Sequence, residues 1–237
     1  MMSKFKISLL VLFLPIFLQA FSKQEIVSAS KKFVELEQIE ISGPLEVLIM
    51  QADDNEIILE APEKTLKEVI LEEKGTSLSV SIKKAPSTFL WCKISVKDLH
   101  KMTLKRGACA KTTQLFSESF ELDLKNHTQA TISINCSQLN SRISGNALLQ
   151  LEGLAQDQKV VMQGSGKYLA ENLKSKRCFL KIRGSAEASV DAEELLHAKL
   201  DGSVKVSYQG NPQKIREEIH GPSKLFKKRL THSHKLP

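Results

Sequence analysis

Glycine or asparagine recurs along the second half of the chain, each time closing an alternating apolar stretch. The positions are Gly107, Asn126, Gly145, Gly164, Gly184, Gly202 and Gly221, at intervals of 19, 19, 19, 20, 18 and 19 residues. The flanking text repeats with them, as Ile143-Ser144-Gly145-Asn146, Met162-Gln163-Gly164-Ser165, Ile182-Arg183-Gly184-Ser185 and Leu200-Asp201-Gly202-Ser203. A fixed period of this length marks a unit that buries its apolar face against copies of itself. Two residues before each corner from Asn126 onward stand Leu124, Ile143, Met162, Ile182, Leu200 and Ile219, all large and apolar. Two residues after each corner stand Cys109, Thr128, Ala147, Gly166, Ala186 and Val204, all small. A third row holds Thr113, Ile132, Leu151, Ala170, Val190 and Tyr208. With a period of 2 inside each strand, each turn of chain climbs one inter-strand spacing and like residues stack inward on like. The expected fold is all-β: a right-handed parallel β-helix (β-solenoid) with ~19-residue coils.

The corner residues have a physical reason. Reversing the chain inside a tight stack needs positive φ, which glycine adopts without Cβ strain and asparagine adopts next most readily. Other repeat folds fit less well. A leucine-rich repeat has its own Leu/Asn consensus, and a propeller blade needs about 40 residues. An antiparallel sandwich with short, evenly spaced strands would not hold one inward row in phase from Leu124 to Ile219.

Before the repeat the pattern changes. Ile39–Ile41 and Leu45–Ile49 read as strands about a Ser42-Gly43-Pro44 turn, and Asn55–Ala61 and Leu78–Ile82 as further strands. Pro62–Glu68 reads as a short helix opening, with proline early and acids in the first turn. The expected organisation is a signal peptide at 1–22, a less regular N-terminal β-rich capping part at 33–103, β-helix repeats at 104–221 and a basic C-terminal tail at 222–237. Atypical ends are expected because the terminal strand edges of a solenoid must be managed.

The net charge of +7 belongs to the ends of the chain. Lys4 and Lys6 lie before residue 21, and Lys224, Lys227, Lys228, Arg229 and Lys235 lie after residue 221, with no acid in either segment. The body between them is balanced. A nucleic-acid footprint would place its basic patch on the folded domain, so no nucleic-acid partner is expected. Lys4, Lys6, the apolar run Ile7–Leu18 and the small-residue sites around Ala20 and Ser22 read as a secretory signal. The chain is therefore expected in the periplasm, on the outer-membrane surface or outside the cell. Cys92, Cys109, Cys136 and Cys178 have spacings of 17, 27 and 42, which match no metal motif. An even count in an exported chain permits disulfides, but different rows of the repeat favour buried free thiols.

The segments Ile41-Ser42-Gly43-Pro44-Leu45-Glu46-Val47, Leu78–Ile82 and Leu99–Gly107 precede glycine-cornered repeats that run through Tyr208-Gln209-Gly210-Asn211-Pro212. This order resembles the bacterial putative auto-transporter adhesin head domain family (head GIN domain). The resemblance covers about residues 33–221 and is most specific at Tyr208–Pro212. The chain departs from the pattern at Asn126-His127 and at Arg106-Gly107-Ala108. The resemblance implies an exported β-helical protein of the bacterial envelope, and it supplies no catalytic or ligand residues.

Two functions compete on the residues themselves. One is a non-catalytic, adhesin-like or scaffold β-helix that binds a glycan, an envelope component or a protein. The rival is a carbohydrate-active β-helix enzyme, a polysaccharide lyase or hydrolase. An enzyme would gather carboxylates or basic groups on one face of neighbouring coils. Asp123, Asp157, Asp191 and Asp201 instead fall at different coil positions, and Glu193 and Glu194 have no acidic partner in the next coil. No catalytic residue, metal ligand or cofactor is therefore expected. Gly164-Ser165-Gly166 lacks the aspartate of a calcium-binding β-roll, and a phosphate loop would need a following helix. His232 and His234 read as part of a flexible end, and the other histidines as surface residues. The basic tail offers at most weak contact with an anionic surface. The side chains one before each corner, Arg106, Lys125, Ser144, Gln163, Arg183, Asp201 and His220, mix types as a solvated face does.

Overall fold

The computed structural model describes residues 25–228. The signal peptide expected at 1–22 lies outside them, as do residues 229–237 of the expected tail, including His232 and His234. The N-terminal part contains β1 (Ile26–Phe33), β2 (Gln38–Ser42), β3 (Glu46–Gln51), β4 (Asn55–Pro62), β5 (Ile70–Lys74), β6 (Ser77–Ser81), β7 (Trp91–Val96) and β8 (Lys101–Lys105). One short helix, α1 (Glu63–Leu66), follows Pro62. Four long strands then run through both halves of a coil: β9 (Cys109–Lys125), β10 (Gln129–Gly145), β11 (Leu148–Gly164) and β12 (Lys167–Gly184). Later coils split in two, as β13 (Glu187–Asp191) with β14 (Leu195–Gly202), and β15 (Lys205–Gln209) with β16 (Lys214–His220). Strand β17 (Lys224–Lys227) follows and stacks on β15, so these residues of the expected tail belong to the solenoid.

From β9 onward all these pairings are parallel, with partners 18 to 20 residues apart. Leu124, Ile143, Met162, Ile182 and Leu200 stand one on another and are all buried. Ile219 continues the row but is 38% exposed, because it lies on the last described strand of its face. Lys159 and Lys181 point outward, as the alternation requires. The expected corners Gly107, Asn126, Gly145, Gly164, Gly184, Gly202 and Gly221 all have positive φ. At Gly164, φ is 122°, and an added Cβ would lie 2.6 Å from the carbonyl oxygen of Gly145. Both the backbone angle and the coil beneath thus exclude a side chain there.

The first corner departs from the expected register. Leu104 pairs with Leu124 and Cys109 with Gln129, so Arg106 rather than Gly107 falls beside Asn126. Lys105 accordingly takes the outward place assigned to Arg106. Ala108 takes the small inward place assigned to Cys109, and Cys109 is only half-buried. The cause is an extra residue in the turn. Arg106 and Gly107 both have positive φ, as do Asn126 and His127, whereas the later corners use a single glycine. Thr113 is also turned to solvent, because the register slips where Thr131 and Ser133 face Lys111 and Gln114. Thr112 sits at the slip instead, its hydroxyl accepting from Ser133 N at 3.0 Å. Tyr208 is half-buried near the open end.

The N-terminal part joins the same stack out of chain order. Ile41 of β2 lies between Val80 of β6 and Leu104 of β8, and β3 lies between β7 and β9. β4 then pairs antiparallel with β7, β1 with β4, and β5 with β6. One continuous apolar core runs through both parts. No helix among the described residues is long and apolar enough to cross a membrane.

Candidate functional site

Each coil has a second bend, between its two strand halves. Successive bends stack into a groove of about 750 Å³ that runs along the solenoid axis, across the strands. Small residues form its floor: Ser117, Cys136, Ala155 and Ser175 lie in register from coil to coil. One rim is the column Phe116, Asn135, Leu154 and Lys174. The opposite rim carries Glu118, Ser137, Gln156 and Lys176, with Asp98 and Glu193 also lining the groove. Phe116 is 58% exposed and Leu154 53% exposed, large apolar side chains held open to water on a rigid ladder.

Phe116 is fixed by a residue far away in sequence. Its backbone N–H donates to Gln51 Oε1 at 2.7 Å, and Gln51 Nε2 donates to the carbonyls of Phe116 at 3.2 Å and Lys97 at 2.9 Å. The Gln51 amide thus replaces a neighbouring strand where the first coil has none. Beneath the floor lies a buried polar network. The Tyr168 hydroxyl donates to Gln158 Oε1 at 3.0 Å, and Gln158 Nε2 donates to Ser175 Oγ at 2.6 Å. Ser175 Oγ in turn donates to the Asp191 carbonyl at 2.5 Å. Satisfied buried networks of this kind fix local geometry, and this one fixes the floor at Ser175. Burial pushes the Cys136 thiol up to about 11 and the Cys92 thiol up to about 12, so neither is an activated nucleophile. None of the four cysteines is bridged.

The ionisable groups of the groove do not converge. Glu118 and Lys176, on the same rim, are three coils apart, about 14 Å at the usual strand spacing. No three His, Cys, Asp or Glu side chains among the described residues are grouped to hold a metal. The acids singled out from the sequence serve elsewhere. Asp123 pairs with Lys125 at 3.1 Å, Asp201 with Arg183 at 2.9 Å, and both Asp157 carboxylate oxygens with Arg177. Burial raises the Asp191 carboxyl, partly opposed by a hydrogen bond from Gln209. Glu193 lies at the groove and Glu194 does not line it. Two lysines expected to offer an anionic-surface contact are engaged within the protein, Lys227 with Asn211 Oδ1 and Lys228 with Glu171, each at 2.6 Å.

The family model described as "Putative auto-transporter adhesin, head GIN domain" matches residues 35–212. No curated protein matches the chain. Among solved structures, a putative adhesin from Bacteroides fragilis superimposes with a TM-score of 0.81 at 19% identity, covering 87% of this chain and 98% of that one. A putative adhesin from Parabacteroides merdae gives 0.70 at 16%, with the same coverage of 87% and 98%. A protein from Parabacteroides distasonis named a putative lipid binding protein also gives 0.70 at 16%, again covering 87% and 98%. At these identities the likeness is one of fold.

Proposed function

Because the chain belongs to the putative auto-transporter adhesin, head GIN domain family, we propose that it is an exported, non-catalytic protein of the cell envelope that binds an extended partner along the axial groove. The groove carries this reading. It presents Phe116 and Leu154 to water beside amide and hydroxyl side chains, on a floor held by ladder pairing and a buried network. Exposed apolar groups placed so rigidly, with few close neighbours of catalytic type, suit contact rather than bond cleavage. Export rests on the secretory pattern of residues 1–22 and on the kind of protein the family name describes.

The test has two arms. Mature protein from its native host should begin near Phe21 or Lys23 by mass spectrometry and should be labelled by a membrane-impermeant reagent or released with the periplasm. Met1 retained on a cytoplasmic protein would sink the export reading. Purified protein should release no reducing ends or unsaturated products from neutral or acidic polysaccharides. Turnover abolished by Glu118→Gln would promote the lyase or hydrolase rival.

A further inference from the structure

We infer that the groove takes an acidic polysaccharide strand lying along the solenoid axis, with sugar faces against Phe116 and Leu154 and an anionic group between Lys174 and Lys176. This inference rests on the groove being the binding site.

The backbone argues against a peptide. Extended peptides gain their affinity by adding a strand to an open sheet edge. Here the groove crosses the strands, and the backbone at Asn135 and Leu154 is paired with a coil on each side. A peptide laid across them finds no free row of amides. An acyl chain fits no better, because Asn135 interrupts the apolar rim between Phe116 and Leu154. A glycan matches both features. Its C–H faces alternate with hydroxyls, and an extended pyranose chain advances about one coil spacing, ~4.8 Å, per ring. The amides of Asn135 and Gln156 and the hydroxyls of Ser117 and Ser137 offer donors and acceptors at the same interval.

Charge selects among glycans. Lys174 and Lys176 are exposed and flank the buried Ser175, and neither forms an ion pair or a hydrogen bond with a described residue. Lys105, Lys167 and Lys199 on the coil faces are all paired with carboxylates. Two uncompensated ammonium groups about a fixed hydroxyl make a local anion site. Asp98 and Glu118 line the groove toward its other end. A polymer charged at every sugar would meet them unfavourably, so the fitting strand alternates acidic with neutral sugars and binds in one direction.

The probes are a hyaluronan octasaccharide, which alternates carboxylated and neutral sugars, a chondroitin sulfate oligosaccharide, a chito-oligosaccharide with no acid, polygalacturonate, and phosphatidylglycerol vesicles. Titration calorimetry should show the alternating acidic glycans binding at least roughly tenfold more tightly than the chito-oligosaccharide, with affinity falling as salt rises. Preference between the first two probes identifies the anionic group as carboxylate or sulfate. Lys174→Ala/Lys176→Ala and Phe116→Ala should each weaken binding roughly tenfold or more with unchanged melting temperature, since all three side chains are exposed. Equal binding of the neutral oligomer, untouched by the lysine variant but abolished by Phe116→Ala, would overturn the acidic assignment while leaving the groove reading intact. Glycan binding that survives Phe116→Ala, no glycan binding at all, polygalacturonate binding best, or lysine-dependent binding to vesicles alone would each overturn the inference. Surface labelling tests the envelope reading independently of these results.

Discussion

The two parts of the molecule share one parallel ladder and assemble it in opposite ways. From Cys109 to Tyr208 each strand rests on the one 18 to 20 residues before it, so every neighbour is a local neighbour. In the N-terminal part, Ile41 rests against Val80 and Leu104, and β1 and β4 add antiparallel strands. The regular coils can form by extending what is already there, with one short loop closure each. The N-terminal part must close several long loops before its contacts form, which costs more entropy at the outset and slows folding. One core thus combines a repeat-like segment with a globular one.

The largest effect should come from a charge in the core of either part. Ile41→Asp and Ile182→Asp each bury a carboxylate among apolar neighbours and should cost more than about 4 kcal/mol by denaturant unfolding. Lys181→Glu, on the outer face, should stay within about 0.5 kcal/mol. Hydrogen exchange should then distinguish the parts. Ile182→Asp should strip protection from β11 to β14 and spare β2 and β3, as nearest-neighbour stacking requires. Ile41→Asp should strip the whole N-terminal part. The same exchange map from both variants would mean that the chain unfolds as one unit and that the contrast in assembly has no energetic counterpart.

The corners should differ next. Gly164→Ala meets both a positive φ and the Gly145 backbone, with Gly145 Cα and N at 3.0 Å from the new carbon, and should cost about 3 kcal/mol or more. Gly107→Ala, where the nearest heavy atom is Pro44 Cα at 4.0 Å, meets only the backbone term and should cost about 1–2 kcal/mol. Comparable thermal shifts for the two would mean that the coil stack relaxes around an inserted methyl group.

The same contrast explains what the sequence made legible. The inward row from Leu124 to Leu200 repeats one kind of residue at one interval, so periodicity alone exposes the coils. The interleaving of β2 and β3 leaves no such trace, because their partners stand at unrelated distances in the chain. The extra residue at Arg106-Gly107 hid the shift from Cys109 to Ala108, since a glycine seven residues in phase with six others looks like the corner. The groove was hidden for a different reason. Its rim column, Phe116, Asn135, Leu154 and Lys174, keeps the coil interval but changes chemical type at each step. A search for rows of like residues passes over it, whereas a search for exposed apolar residues at the coil interval would have found Phe116 and Leu154. Gln51, which holds Phe116, sits 65 residues away with no local signal of its role.

Alkaline pH should affect both parts through their buried thiols. Cys92 in β7 and Cys178 in β12 are both buried, and burial raises both thiols, Cys92 to about 12 from an ordinary value of 9.0. Below pH 9 each thiol is protonated whether the chain is folded or not, and stability does not depend on it. Above pH 9 the unfolded chain loses the proton while the folded chain keeps it, so stability falls with rising pH until the folded thiol ionises. Each such group contributes a slope of about 1.4 kcal/mol per pH unit. Unfolding free energies at pH 8, 9 and 10 should show this decline, and Cys92→Ala or Cys178→Ala should each remove about one such slope from its own part. An unchanged slope in both variants would mean that these thiols are reached by water.

Surface ion pairs should matter least, and equally little in both parts. Arg183–Asp201 joins adjacent coils at 2.9 Å, whereas Lys105–Glu40 joins residues 65 apart in sequence at 2.7 Å. Sequence separation suggests that the second pair secures the N-terminal part to the coils. Solvent exposure says otherwise. Arg183 and Asp201 are 70% and 47% exposed, and Lys105 and Glu40 still 34% and 40%, so water competes at both sites and each pair must immobilise two long side chains. Exposed pairs of this kind contribute about 0–1 kcal/mol. Asp201→Asn should therefore cost at most about 0.5 kcal/mol and Glu40→Gln at most about 1 kcal/mol, with both losses vanishing in 1 M salt, where charges are screened over about 3 Å. The long-range closure of the N-terminal part is held instead by the apolar contacts of Ile41 between Val80 and Leu104, which salt does not weaken. A Glu40→Gln loss of several kcal/mol that persists in high salt would transfer that role to the ion pair.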